Sequence, residues 1–301
     1  MGHLCSCAAS TATTKLLLWS VGRDQLHSYS NAFGTARKPS SFSYKITCKI
    51  STKNIEAQKN GHDNPRLLDT LSMKQQEQTS LFVNTLLEWN QRMNLTAVTE
   101  HCAVMERHVE DSLALLPIIE NAYKNNCPTM ESVRLNLVDV GSGAGLPGII
   151  LAIARPDWQI TLIESLQKRC FFLEHVVDVS GLSNAQVVRI RAEDAGQNPD
   201  FREKYDIAVA RAVADMRILA EYCLPLVRVG GLLVAAKGYN PQEEVENAKK
   251  AIRLMGASML QLCSVTSEGP YGKRTAVLCL KNRPTPPKYP RHPGIPTKKP
   301  L

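Results

Sequence analysis

The chain has 301 residues, of which 44% are hydrophobic and 21% are charged. This length is sufficient for one large domain or two small ones, and the composition excludes a disordered or fibrous protein. No apolar run approaches the ~20 residues that a membrane-spanning helix needs, so none is predicted.

The formal net charge of +8 is concentrated at the two ends of the chain. Residues 1–55 hold seven Lys/Arg and one acidic residue, and residues 281–301 hold six Lys/Arg and no acidic residue. The 225 residues between them carry a net charge of −4. The basic balance is therefore no evidence that the fold itself binds a polyanion.

Residues 1–48 have the composition of an organelle transit peptide, because they are rich in Ser and Thr and nearly free of acid. The sequence Ile46-Thr47-Cys48 resembles a chloroplast cleavage pattern. We therefore expect the protein in the chloroplast stroma, with the mitochondrion as second choice and a disordered cytosolic arm as the alternative. Residues 49–72 are polar and are predicted to be a linker.

Residues 73–130 are predicted to form a small helical portion. Apolar residues at i, i+4, i+7 and i+11 predict a helix that begins at Met73; they are Phe82, Leu86, Trp89 and Met93. A second helix is predicted over 102–116, and Pro117 would lie close to its end.

Residues 131–281 alternate between short β runs and helical stretches, which predicts an α/β fold with a doubly wound parallel sheet. The predicted strands are 135–140, 159–163, 186–190, 206–210 and 231–236. The predicted helices are 147–154, 166–179, 216–227 and 243–255. Two further β runs, 258–265 and 275–280, predict an antiparallel C-terminal hairpin.

A glycine loop follows the first strand, in the segment Asp139–Gly148. Its spacing satisfies the dinucleotide fingerprint, in which Glu164 would hold a ribose. It equally matches the first motif of class I S-adenosylmethionine methyltransferases, in which Asp139 contacts the ligand or holds the loop and Glu164 takes the ribose hydroxyls. A purely structural turn is a third interpretation.

The rest of the sequence favours the methyl donor over a dinucleotide. Arg191-Ala192-Glu193-Asp194 follows the third strand, where methyltransferases often place adenine contacts, and Arg211 ends the fourth strand. A dinucleotide enzyme would usually need a second nucleotide-binding half or a catalytic domain, and little chain remains for either. No CxxC pair occurs among the nine Cys, so no metal site is predicted.

Six segments in one order resemble the RsmG/GidB family, the bacterial small-subunit (16S) ribosomal RNA guanine-N7 methyltransferases. The segments are WNQRMNLT from Trp89, RHVEDSL from Arg107, Asp139–Gly148, ESLQKR from Glu164, ARAVA from Ala210 and YPRHPGIP from Tyr289. The resemblance covers residues 73–301. It implies a class I fold, S-adenosyl-L-methionine as cofactor, and small-subunit ribosomal RNA or a ribosomal subunit as partner, in a plant-type organelle-targeted version.

The resemblance also implies donor contacts at five positions: Gly141, Leu146, Ala192, Glu193 and Arg211. Reasoning from the loop adds Asp139, Gly143, Gly145 and Glu164. Many relatives carry Asp where this chain has Glu164, and both supply a carboxylate for the ribose.

No catalytic base is expected, because guanine N7 carries a free lone pair and needs only alignment with the methyl group. His108 and Asp111 lie three residues apart on a predicted helix, where they are expected to bond each other or the backbone. Asn94 and Thr96 are expected either to form part of the crevice wall or to cap a turn.

The predicted RNA contacts lie mainly in the Pro-rich C-terminal tail (residues 282–301), which is expected to contain no regular helix. They are Lys237, Lys288, Arg291, Lys298 and Lys299, of which the last four belong to the tail. Two other functions stay open: a class I methyltransferase of a small molecule or protein, and a non-catalytic RNA-binding factor of ribosome assembly.

Overall fold

The structure is a computed structural model that describes residues 66–126, 134–211, 213–269 and 272–301. The predicted transit peptide and most of the predicted linker lie outside the described residues. The helical portion and the sheet both belong to one unit, His62–Leu301.

The first long helix, α1 (Met73–Met93), begins at a capping box. The Ser72 hydroxyl accepts the backbone N–H of Gln75, and the Gln75 side chain accepts the backbone N–H of Ser72. These bonds satisfy two donors of the first turn that have no partner inside the helix. Phe82 and Leu86 of the predicted stripe are fully buried, so this face of α1 packs into the core.

The predicted second helix is not one regular helix. It consists of α2 (His101–Val104), a π-helical turn (Met105–Glu110) and α3 (Asp111–Leu113), and α4 (Leu115–Asn126) follows. Pro117 lies in the first turn of α4, so the prediction that it lies near a helix end was wrong. Proline is tolerated there because the first N–H groups of a helix have no intrahelical acceptor.

Seven strands form one sheet. They are β1 (Asn136–Val140), β2 (Gln159–Glu164), β3 (Ala185–Arg189), β4 (Tyr205–Arg211), β5 (Val227–Lys237), β6 (Ala257–Gly269) and β7 (Gly272–Lys281). The order across the sheet is β3-β2-β1-β4-β5-β7-β6. The pairs among β1 to β5 are parallel, and β7 is antiparallel to both β5 and β6. The predicted α/β sheet with a C-terminal hairpin is confirmed.

Helices cover both faces of this sheet. They are α5 (Gly148–Ala154), α6 (Gln167–Val179), α7 (Ala192–Gln197), α8 (Met216–Cys223) and α9 (Gln242–Leu254). Successive residues of a strand point to opposite faces, so Leu137 joins the core with α1, α5 and α6, whereas Val138 joins the core with α8 and α9. Among the helices of the described ranges, none is both long and apolar enough to cross a bilayer.

The C-terminal tail packs against this body. Tyr289 is 7% exposed and belongs to the core that contains α8. The tail also forms one helical turn, α10 (Ile295–Lys298), with Pro296 in its first turn. The expectation of no regular helix was therefore wrong, because proline's fixed φ suits the first turn of a helix.

Candidate functional site

The glycine loop joins the end of β1 to the start of α5. Gly141, Gly143 and Gly145 have φ values of 74°, 56° and 82°, which glycine adopts without steric cost. Gly148 is required for a different reason, since a Cβ at this position would lie 2.6 Å from Oδ2 of Asp139. The glycine spacing thus follows from the shape of the backbone at this turn.

Asp139 holds the loop from inside the core. Its side chain is 1% exposed, and its Oδ2 accepts the backbone N–H of Gly148 at 2.9 Å. Burial raises the pKa of Asp139 to about 7, although the Gly148 N–H and the guanidinium of Arg211 act in the opposite direction. Of the two roles that the sequence left open for Asp139, this geometry supports holding the loop.

Glu164, the last residue of β2, links the loop to the start of α6. Its Oε2 accepts the backbone N–H of Gly143 at 3.1 Å, and its Oε1 accepts that of Leu166 at 2.8 Å. Arg169 Nη1 lies 3.7 Å from Oε2. Each carboxylate oxygen has two lone pairs, so the backbone orients Glu164 and leaves acceptor capacity for a ligand.

A cleft of about 470 Å³, counted with the part open to solvent, lies at the carboxyl ends of β1, β2 and β3. Four of the predicted donor-binding residues line it: Gly141, Glu164, Ala192 and Glu193. The carboxyl edge of a parallel sheet is where such folds bind ligands.

The other predicted donor-binding residues do not line this cleft. Leu146 is 5% exposed and belongs to the hydrophobic core, and Asp139 is buried behind the loop. Gly143 contributes its N–H to Glu164, and Gly145 lies against Ile149. They shape the loop that forms one side of the cleft.

Tyr222 of α8 and Val213 line the cleft and were missed by the sequence analysis. A single Tyr inside a helical pattern carries no local sign of a ligand. Tyr222 lines the cleft because α8 packs beside α7, and this packing cannot be predicted from the local sequence. Burial raises the pKa of the Tyr222 phenol, and its oxygen lies 3.0 Å from the hydroxyl of Thr297 in the tail.

A second polar cluster surrounds Arg211 at the end of β4. Burial lowers the pKa of Arg211 to about 10, and the carboxylates of Asp111 and Asp139 partly offset this effect. Asp111 is 3% exposed and forms an ion pair with Arg274 of β7. Arg211 therefore lies between the loop-holding Asp139 and the π-helical region, outside the cleft described above.

His108 belongs to the same cluster and is neutral. Burial and the nearby guanidinium of Arg211 lower the pKa of His108 to about 4. Its Nδ1 lies 3.1 Å from the carbonyl oxygen of Arg107, and its Nε2 lies 2.8 Å from the Thr96 hydroxyl. Because a carbonyl only accepts, we assign the proton to Nδ1, and the Thr96 hydroxyl then donates to Nε2.

The neighbouring residues show how Thr96 is held. The side-chain amide of Asn90 donates to the backbone carbonyl of Thr96 and accepts the backbone N–H of Thr96, at 2.9 Å each. Asn94 is the left-handed residue that ends α1, with φ 51°. Asn94 therefore ends the preceding helix, and the expected capping of a following turn belongs to Thr96, whose hydroxyl accepts the backbone N–H of Val98 at 3.1 Å.

Two of the predicted RNA contacts form ion pairs within the fold. Lys237 Nζ donates to the carbonyl of Ala214 at 2.5 Å and to Glu244 at 2.6 Å. Arg291 forms a bidentate pair with Glu221, whose side chain is completely buried. These bonds argue against phosphate binding by Lys237 and Arg291.

The remaining three predicted RNA contacts, Lys288, Lys298 and Lys299, are exposed on the tail. Within the ranges that the structure describes, no group of His, Cys, Asp and Glu side chains is placed to hold a metal ion.

Comparisons with known proteins show to which family this chain belongs. The profile of the rRNA small subunit methyltransferase G (GidB) family matches residues 75–273. Curated relatives named "Ribosomal RNA small subunit methyltransferase G" include one from Acetivibrio thermocellus, 44% identical over 73% of this chain and 86% of the relative. That of Lactobacillus helveticus is 41% identical over 77% and 93%, and that of Symbiobacterium thermophilum is 42% identical over 75% and 89%.

Among solved structures, the Methanococcus jannaschii fibrillarin pre-rRNA processing protein is similar, with a TM-score of 0.41 and 15% identity over 50% of this chain and 68% of that one. The recognition of the family from six short segments is confirmed by the profile and by the curated relatives, and with it the class I methyltransferase fold. The chain belongs to the ribosomal RNA small subunit methyltransferase G family.

Proposed function

We propose that this protein forms 7-methylguanine in the small-subunit (16S-type) ribosomal RNA of the chloroplast, with S-adenosylmethionine as methyl donor. The observation that carries the proposal is the cleft at the carboxyl ends of β1 to β3, found in a chain of this family. Gly141, Glu164 and Glu193 line that cleft.

The chemistry of the cleft fits such a donor. The donor supplies a methyl group on a positively charged sulfur. Glu164 would accept the two ribose hydroxyls, because its oxygens are oriented by Gly143 and Leu166 and keep free lone pairs. Ala192 and Glu193 would border the adenine, and the glycine loop lets the backbone approach the ligand closely.

The polar cluster around Arg211 fits an acceptor that needs no deprotonation. N7 of guanine attacks with its own lone pair, and the base becomes positively charged as the methyl group arrives. Neutral His108, with its pKa lowered to about 4, is a poor proton acceptor at pH 7, and Asp111 is held in an ion pair with Arg274. The cluster therefore fits an acceptor atom that attacks without losing a proton.

Exposed lysines of the tail would bind the RNA backbone. Lys288, Lys298 and Lys299 are exposed on one continuous segment, and lysines neutralise phosphates on release of counterions. Guanine N7 faces the deep, narrow major groove of an A-form helix, so we expect an unpaired guanine as the target.

Residues 1–48 would direct the protein to the chloroplast. Their support is compositional, since the segment is Ser- and Thr-rich and nearly free of acid. Residues 1–65 fused to a fluorescent protein should enter isolated chloroplasts. Import into mitochondria alone, or into neither organelle, would contradict the location.

The activity is tested by methyl transfer from labelled donor to unmodified chloroplast small-subunit RNA or to the subunit. Borohydride/aniline cleavage then maps 7-methylguanine, and we expect one cleaved guanine. A Lys249→Ala variant, which alters only an exposed ion pair with Glu246, serves as the control. Label in a protein or small molecule, or at another atom of the RNA, would contradict the proposal.

A further inference from the structure

The C-terminal tail contacts the two helices that form one wall of the cleft. Glu193 lies in the first turn of α7, and Tyr222 lies in α8. Both residues line the cleft. The family profile ends at residue 273, and within the tail the resemblance to the family is carried by the segment that begins at Tyr289.

The tail is fixed by polar contacts along its length. Arg202 donates to the carbonyls of Thr285 and Tyr289, at 2.7 and 2.8 Å. Gln197, the last residue of α7, donates to the carbonyl of Pro290 at 2.7 Å. The backbone N–H of Arg291 also donates to the buried carboxylate of Glu221, at 2.8 Å. A tail held this way has a defined position on the body.

Two bonds reach the residues of the cleft wall themselves. The backbone N–H of Gly294 donates to Oε1 of Glu193 at 3.0 Å, and the Thr297 hydroxyl lies 3.0 Å from the Tyr222 phenol oxygen. Glu193 is only 4% exposed. A buried carboxylate is costly unless hydrogen bonds satisfy it, so the Gly294 N–H contributes to holding Glu193 where it is.

We propose that the C-terminal tail is a positioning element of the donor cleft, acting through Gly294 on Glu193 and through Thr297 on Tyr222. The proposal rests on the proposed function, because it takes the cleft as the site of the donor. The tail does not touch the donor in this scheme. It fixes two side chains of the wall on the nucleoside side, so its loss weakens binding of the donor's nucleoside half.

The test measures the affinity of S-adenosylhomocysteine and of 5′-methylthioadenosine by calorimetry, without RNA. Thr297→Val removes the hydroxyl, and Thr297→Ser keeps it. A chain that ends at Pro293 loses the Gly294 N–H as well but keeps the Arg291–Glu221 pair. Thr70→Val is the matched control, since its hydroxyl bonds only the nearby carbonyl of Leu67.

We expect Thr297→Val to raise the dissociation constants of both ligands about threefold, and the chain that ends at Pro293 to raise them about tenfold. With Thr297→Ser and Thr70→Val, both constants should stay within about twofold of those of the unchanged chain. Melting temperatures show whether each variant is folded. If the chain that ends at Pro293 does not fold, the comparison of Thr297→Val with Thr297→Ser still tests the proposal.

Equal affinity of the unchanged chain and both tail variants would overturn the role of the tail and leave the proposed function intact. If the tail variants bind S-adenosylhomocysteine more weakly but 5′-methylthioadenosine as tightly as the unchanged chain does, the assignment of the tail to the nucleoside side is overturned. An unchanged chain that binds neither ligand would overturn the proposed donor site, and the positioning role with it.

Discussion

The ammonium nitrogen of Lys281 lies 3.2 Å from a carboxylate oxygen of Glu203, although the Lys281 side chain is completely buried. It also donates to the carbonyls of Leu224 and Val227 and to the hydroxyl of Thr285. One buried cation thus joins the end of β7, the loop after α8 and the start of the tail. Its bonds connect the sheet to the segment that reaches the cleft.

Lys281→Met should lower the free energy of unfolding by about 3 kcal/mol at pH 7, because three buried acceptors and Glu203 lose their donor. Urea denaturation measures the change. Lys250→Met, at an exposed position of α9, should change stability by less than about 0.5 kcal/mol. Equal stability of the two variants would show that the Lys281 bonds contribute nothing net.

The pH dependence of the stability difference between the unchanged protein and Lys281→Met is a separate prediction. Burial lowers the pKa of Lys281 from 10.5 to about 8, so between these values the unfolded chain binds more protons than the folded one. The contribution of Lys281 to stability therefore rises with pH in that window. Relative to Lys281→Met, the unchanged protein should gain about 1 kcal/mol between pH 8 and pH 9. A constant difference between the two proteins would contradict the lowered pKa.

Arg291→Ala should destabilise the fold by about 3–5 kcal/mol, since it leaves the fully buried Glu221 without its cation. Thermal unfolding measures the loss. Arg217→Ala is the matched control because Arg217 forms a partly exposed pair with Asp215, and loss of a pair that water reaches should leave the melting temperature nearly unchanged. If Arg291 instead served only RNA, its removal would leave the melting temperature unchanged and weaken RNA binding.

Glu164→Gln should weaken S-adenosylhomocysteine binding at least about tenfold. The substitution removes the charge and turns one oxygen, which now accepts an N–H of Gly143 or Leu166, into a donor. Glu174→Gln, at an exposed position of α6, is the control that makes the same change of charge at a residue that does not line the cleft. Calorimetry of both variants would contradict the role of Glu164 if their affinities were the same.

The parts that sequence predicted are those set by local pattern. Alternating apolar runs predicted the strands, and the positive φ values of the loop explain why glycines stand at 141, 143 and 145. Because parallel strands end at one edge, the sequence also predicted that Gly141 and Glu164 would meet.

The parts it could not predict depend on contacts between distant segments. Arg291 meets Glu221 across 70 residues of chain, and Gly294 meets Glu193 across 101. Arg291 in the basic tail and Lys237 at the end of the fifth strand were predicted to bind RNA, although both have buried or half-buried partners within the fold. Six-residue α7 was missed because so short a helix shows no full period of apolar residues.

The activity should show no titration of His108 between pH 6 and pH 8. Its pKa of about 4 keeps the ring neutral throughout this range, with Nδ1–H donating to the Arg107 carbonyl and Nε2 accepting from Thr96. His108→Gln should therefore lower kcat at every pH by a similar factor, because it disturbs the position of the π-helical turn and not a proton transfer. His175→Gln, at an exposed ring stacked on Trp89, controls for the loss of a histidine near α1. A limb of the kcat profile near pH 6.5 that disappears in His108→Gln would identify His108 as a general base, against the mechanism in which guanine N7 attacks with its own lone pair.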